Sequence, residues 1–77
     1  MMTTPADING WIRQNLLVQH LSVDGDGHHF DAVVVSEQFE GLNTLARHRL
    51  VYAALGDKMQ AEIHALSMKT YTPSEYK

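Results

Sequence analysis

Five histidines and no cysteine set the chemistry open to this 77-residue chain. His64 stands where a helical pattern gives way to a strand, which places an imidazole at a rim open to solvent or a partner. His28 and His29 adjoin a turn, Asp24-Gly25-Asp26-Gly27, whose aspartates add carboxylates nearby. Neutral imidazole binds iron, copper or zinc and titrates near neutral pH. In an extended segment adjacent side chains point to opposite faces, so His28 and His29 are not expected to serve one metal together. Without a thiol there is no sulfur nucleophile, no thiolate ligand and no disulfide. His20, Ser22 and Asp24 share one strand face, but a short exposed strand encloses no pocket. The chain also lacks a phosphate-cradling Gly-Lys-Ser motif and a metal-binding histidine pair at helical spacing. The expectation is a protein that is not an enzyme and takes no small-molecule substrate.

The elements that must position these groups follow from periodicity. Thr4-Pro5-Ala6-Asp7 reads as a helix start, with Thr4 as cap, Pro5 in the first turn and Asp7 at its positive end. Ile8, Trp11, Ile12 and Leu16 recur at helical spacing and predict a first helix from Pro5 to about Leu16. Val18 to Asp24 alternates, the glycine-rich turn follows, and His29 to Val35 is β-branched and aromatic, which predicts a hairpin. Ser36 to Gly41 is a connector. Asn43 caps a second helix whose stripe is Leu45, His48, Val51, Tyr52, Leu55 and Met59, ending at Gly56 or continuing to Gln60. His48 reads as a histidine bonded within the fold. Trp11, Phe30 and Phe39 read as core. Ile63 to Tyr71 is a third strand, and Thr72-Pro73-Ser74-Glu75 repeats the capping chemistry to start a short terminal helix.

The expected fold is therefore α+β, one domain over residues 1–77, in the order α-β-β-α-β-α. A small three-stranded sheet carries its helices on one face. A hydrophobic content of 44% with 19% charged residues is ordinary for a folded domain. Six Lys and Arg against nine Asp and Glu give a net charge of −3, which disfavours a nucleic-acid module. The longest apolar run, Ala32-Val33-Val34-Val35, is too short for a membrane span, and the N-terminal residues show no secretory pattern. A cytoplasmic protein is expected.

Along almost its whole length the chain resembles the BolA-like proteins. The resemblance rests on Gly25-Asp26-Gly27-His28-His29-Phe30, Phe39-Glu40-Gly41, Arg47-His48-Arg49-Leu50-Val51-Tyr52, His64-Ala65-Leu66-Ser67 and Thr70-Tyr71-Thr72-Pro73, in that order and spacing. That family's fold is similar to the type II KH domain. The resemblance implies a non-enzymatic partner of CGFS-type monothiol glutaredoxins. The pair would share a bridging 2Fe–2S cluster whose thiolates come from glutaredoxin and glutathione, with no cofactor on the isolated chain. The implied histidine ligand is His64. The family's second ligand, often Cys or His, lies in the loop between the first two strands. Here Asp26 stands near the Cys position and His28 two residues on, so His28, then Asp26, then His29 are the candidates. Tyr71 and Tyr76 would either frame the cluster rim or pack.

Arg47, Arg49 and Lys58 are the candidate partner-binding cations. Arg47 and Lys58 would align as a thin basic strip if the second helix ran that far, whereas Arg47 and Arg49 diverge. Those cations would equally suit DNA, and a KH-like DNA-binding regulator is the alternative reading. KH domains clamp nucleic acid with a Gly-x-x-Gly loop. Glycines here stand at 10, 25, 27, 41 and 56, and no two have that spacing. A plain interaction module docking through the second helix, with no cofactor, is the third possibility.

Overall fold

A computed structural model describes residues 2–76. The first helix, α1 (Pro5–Asn15), starts as its sequence dictates. The Thr4 hydroxyl accepts from the Asp7 N–H at 3.2 Å and the Asp7 carboxylate accepts from the Thr4 N–H at 3.0 Å. This reciprocal cap satisfies two donors that the first turn would otherwise leave free. Ile8 and Ile12 are fully buried, and Leu16 closes the helix as its C-cap.

The hairpin consists of β1 (His20–Gly25) and β2 (His29–Val35), antiparallel, with Leu21 opposite Val34 and Val23 opposite Ala32. Val18 lies outside β1, packed against the core. A 3-10 turn at Glu37–Phe39 then drives Phe39 into the interior. Next come α2 (Thr44–Leu55), α3 (Lys58–Ala61) and β3 (Ala65–Tyr71), which pairs parallel with β2. The sheet order is β1-β2-β3, with β2 central. Parallel pairing of β2 and β3 requires a crossover, and α2 with α3 supplies it.

One sheet face carries Leu21, Phe30, Ala32, Val34 and Leu66 and packs with Ile8, Ile12, Phe39, Val51, Ala54 and Leu55. Each large side chain removed from water there contributes about 1.5–3 kcal/mol. Asp24, Asp31, Ser67 and Lys69 stand exposed on the opposite face. The α+β sheet with helices on one face is thus as the alternation predicts.

The second helix takes the earlier of its two expected ends, at Leu55, where Gly56 is the cap with φ +59°, and a separate single-turn helix follows. Its buried residues are Val51, Ala54 and Leu55, while Leu45 and Tyr52 are exposed, so the stripe is narrower and rotated. His48 is half-buried. The predicted terminal helix is a single turn among the described residues. Its capping chemistry is nonetheless present: the Thr72 N–H donates to Glu75 Oε1 at 2.8 Å and the Glu75 N–H to the Thr72 hydroxyl at 3.3 Å.

Candidate functional site

The parallel register places His29 opposite Ala65, which brings the residues just before each strand, His28 and His64, side by side. The Ala65 N–H donates to the His28 carbonyl at 3.1 Å and closes this end of the sheet. His64 is exposed. Its ring centre lies 6.0 Å from that of His28 and 6.1 Å from that of His29, both edge-on. Three imidazoles thus gather at one rim, although His28 and His29 were expected to diverge. The alternation rule does not reach His28, which lies in the bend before β2 begins at His29.

Asp26 shapes the loop that carries two of these rings. Its Oδ1 accepts from the backbone N–H of His28 and of His29, each at 2.9 Å. Those bonds hold its carboxyl below the ordinary carboxylate range, with the His29 and His28 amides as the leading causes. One oxygen of Asp26, the candidate ranked after His28, is therefore already committed to its own loop. Gly27 sits at φ +101° in the same bend, a conformation that favours glycine.

Geometry tests whether this rim suits a metal. Two imidazoles on one tetrahedral centre, with metal–nitrogen bonds of about 2 Å, stand about 5 Å apart between ring centres. The His28–His64 spacing of 6.0 Å is close enough for small side-chain rotations to bring both rings onto one ion. Among the described residues, no group of three His, Asp or Glu side chains is placed to hold a metal by itself. An open groove along Met59–His64 runs beside the rim.

The other predicted residues lie elsewhere. Arg47 is bound into the fold: Nε donates to the Leu42 carbonyl at 2.8 Å, and the guanidinium pairs with Glu75 through contacts of 2.7 and 3.3 Å. It also lies 6.0 Å above the Phe39 ring, with its side chain only 14% exposed. Arg47 therefore reads as a tie between α2 and the C-terminal turn. Lys58 belongs to α3 and rests 5.0 Å over the Trp11 ring, which is half-buried at the core margin. The basic strip from Arg47 to Lys58 does not form, because the helix meant to carry it stops at Leu55. Arg49 is exposed on α2. Tyr71 ends β3, about 23 Å along the strand from His64 at about 3.3 Å per residue. It packs on Tyr76, which stacks on His20 at 5.1 Å, so these aromatics do not frame the histidine rim.

The family model described as BolA-like protein matches residues 13–75. The chain is 45% identical over 58 residues to BolA-like protein 1 of Bos taurus, covering 75% of this chain and 43% of that protein. It is 50% identical over 52 residues to the DNA-binding transcriptional regulator BolA of Vibrio cholerae, covering 68% of this chain and 49% of that one. The aligned stretch thus spans less than half the length of either relative. The structure of a bolA protein homologue from Coxiella burnetii superimposes with a TM-score of 0.90 at 58% identity, covering 97% of each chain. Among the described residues, no helix is long and apolar enough to cross a membrane.

Proposed function

The chain belongs to the BolA-like protein family, and from that membership we propose that it is a non-enzymatic adaptor sharing a bridging 2Fe–2S cluster with a CGFS-type monothiol glutaredoxin. The observation that carries the reading is the exposed His64 ring, 6.0 Å from His28, in a chain with no cysteine. In this reading His64 holds one iron through a ring nitrogen, and His28 is the favoured second donor. Asp26 keeps the loop in shape with the oxygen it has committed to the His28 and His29 amides. The sulfur donors belong to the partner and to glutathione. Replacing thiolate by imidazole at such a cluster raises its reduction potential, which suits a cluster that is handed on or sensed.

Mixing the protein with a cluster-loaded CGFS glutaredoxin tests this. A heterodimer with an altered visible circular-dichroism spectrum is expected. His64→Ala should abolish the alteration and leave the fold intact. An unchanged spectrum with the variant would remove His64 from the ligand set even if the two proteins still associate.

A second reading takes its support from the Vibrio cholerae relative, which is named a DNA-binding transcriptional regulator. It is the weaker one here, because the Arg47 cation is spent on Glu75 and the net charge is −3. Titration with duplex DNA at two salt concentrations separates the readings. Tight, sequence-selective binding with a steep salt slope would favour the regulator.

A further inference from the structure

The two segments that carry the candidate ligands are joined by more than their strands. Thr3 is 7% exposed, although it lies one residue before the cap of α1. Its hydroxyl donates to the Glu62 carbonyl at 2.6 Å, across 59 positions of sequence. Glu62 is the C-cap of α3, where the final carbonyls lack partners within the helix. The Thr3 hydroxyl supplies that partner two residues before His64. On the other side, the terminal methyl of Met2 rests against Gly27 so closely that a Cβ at Gly27 would collide with it. Gly27 is the residue before His28. Met2 and Thr3 thus contact the loop bearing His28 and the turn bearing His64 at once.

The register of this segment is fixed from behind. Thr4 is locked to Asp7 by the reciprocal cap, so Thr3 and Met2 leave α1 in a set direction. We propose that Met2-Thr3 is a strap that sets the spacing of the His28 and His64 imidazoles, with Thr3 as the positioning residue. As a statement about the cluster it rests on the proposed function, but the ring spacing is measurable without any cluster. His64 is then held on three sides. Glu62 is tied to Thr3, Ile63 is 4% exposed in the core, and the Ala65 N–H is bonded to His28. Removing the first tie leaves the turn held to the core through Ile63 and to the loop through the Ala65 bond alone, with Glu62 released.

The test uses Thr3→Val, which keeps the shape and deletes the hydroxyl, with Thr3→Ser as the conservative variant. Ring-to-ring proton contacts between His28 and His64 are read by NMR on the isolated protein, and the visible circular dichroism of the mixed complex is read beside them. Thr3→Val should weaken the ring contact and lower the complex's apparent affinity about two- to tenfold, the range for one lost hydrogen bond. Thr3→Ser should restore both. If Thr3→Val fails to fold, Met2→Ala replaces it. That variant changes only an exposed side chain and should shift the amide signals of Asp26, Gly27 and His28. Ring contacts and loop signals that stay unchanged overturn the strap. If the strap result holds while His64→Ala leaves the complex spectrum unaltered, the strap stands and the ligand assignment falls.

Discussion

Ile63 is the residue by which the core reaches the rim, and shortening it should grade stability and site geometry together. It is 4% exposed, belongs to the core cluster and immediately precedes His64. Ile63→Val removes one buried methylene and should cost about 1 kcal/mol, whereas Ile63→Ala opens a cavity and should cost about 2–5 kcal/mol. For a 77-residue domain the whole stability is about 4–12 kcal/mol. The valine variant therefore stays folded with a melting temperature about 4–8 °C lower. The alanine variant loses a large share of the total. Urea unfolding gives both values, and an unchanged slope confirms that only stability moved. The ring resonances of His64 should hold in Ile63→Val and move in Ile63→Ala, because only the larger deletion lets the turn settle inward. A loss below about 0.5 kcal/mol for Ile63→Ala would refute the anchor, since a buried side chain of that size cannot be so cheap to remove.

Two further outcomes follow from charges placed by the fold. The Arg47 guanidinium, with the Thr72 amide, holds the Glu75 carboxyl down at about 2 from an ordinary 4.5. A depressed carboxyl contributes stability above its unfolded value and loses it as pH falls towards its folded one. The protein should therefore weaken between pH 4.5 and 2 more steeply than Glu75→Gln, and added salt should shrink the difference because the carboxylate is 46% exposed. Identical acid profiles for the two proteins would dismiss this ion pair as a stabilising tie. Asp26→Ala deletes the shared acceptor of the His28 and His29 amides, so hydrogen exchange at those two amides should accelerate while β2 amides from Phe30 onward keep their protection. Unaltered exchange would mean that the loop holds its shape by other means.

Local chemistry was legible in the sequence, and tertiary closure was not. The start of α1 could be read from Thr4, Pro5 and Asp7 because a cap is a matter of neighbours. The bounds of β2 were read from β-branched and aromatic residues on the same ground. The buried stripe of the second helix was misjudged because a helical wheel counts apolar residues without knowing which side the sheet occupies. Leu45 and Tyr52 fit the stripe by spacing, yet α2 meets the core through Val51, Ala54 and Leu55, with Leu50 packed beside them. Gly56 signalled the ending that the structure shows, although the pattern to Met59 also allowed a continuation. Arg47 looked like a surface cation because its partner, Glu75, lies 28 positions away. For Thr3 no sequence signal existed: next to a stronger cap at Thr4, its role depends on Glu62 being folded back beside it.

The rim itself follows from topology more than from histidine content. Four of the five histidines lie within strands, loops or turns, but proximity alone selects three of them. His28 and His29 reach His64 because β3 returns parallel to β2, so that both strands begin at the same end of the sheet. An antiparallel third strand of the same sequence would carry His64 to the opposite end, about 23 Å away over seven residues. The crossover through α2 and α3 is therefore part of the site although it contributes no donor to it. Unfolding the crossover separates the imidazoles, and a metal or partner that needs both rings recognises only the folded chain. Ligands that bind the native state alone stabilise it by mass action. A partner that engages His28 and His64 together must then raise the melting temperature, and by less when His64 is replaced by alanine.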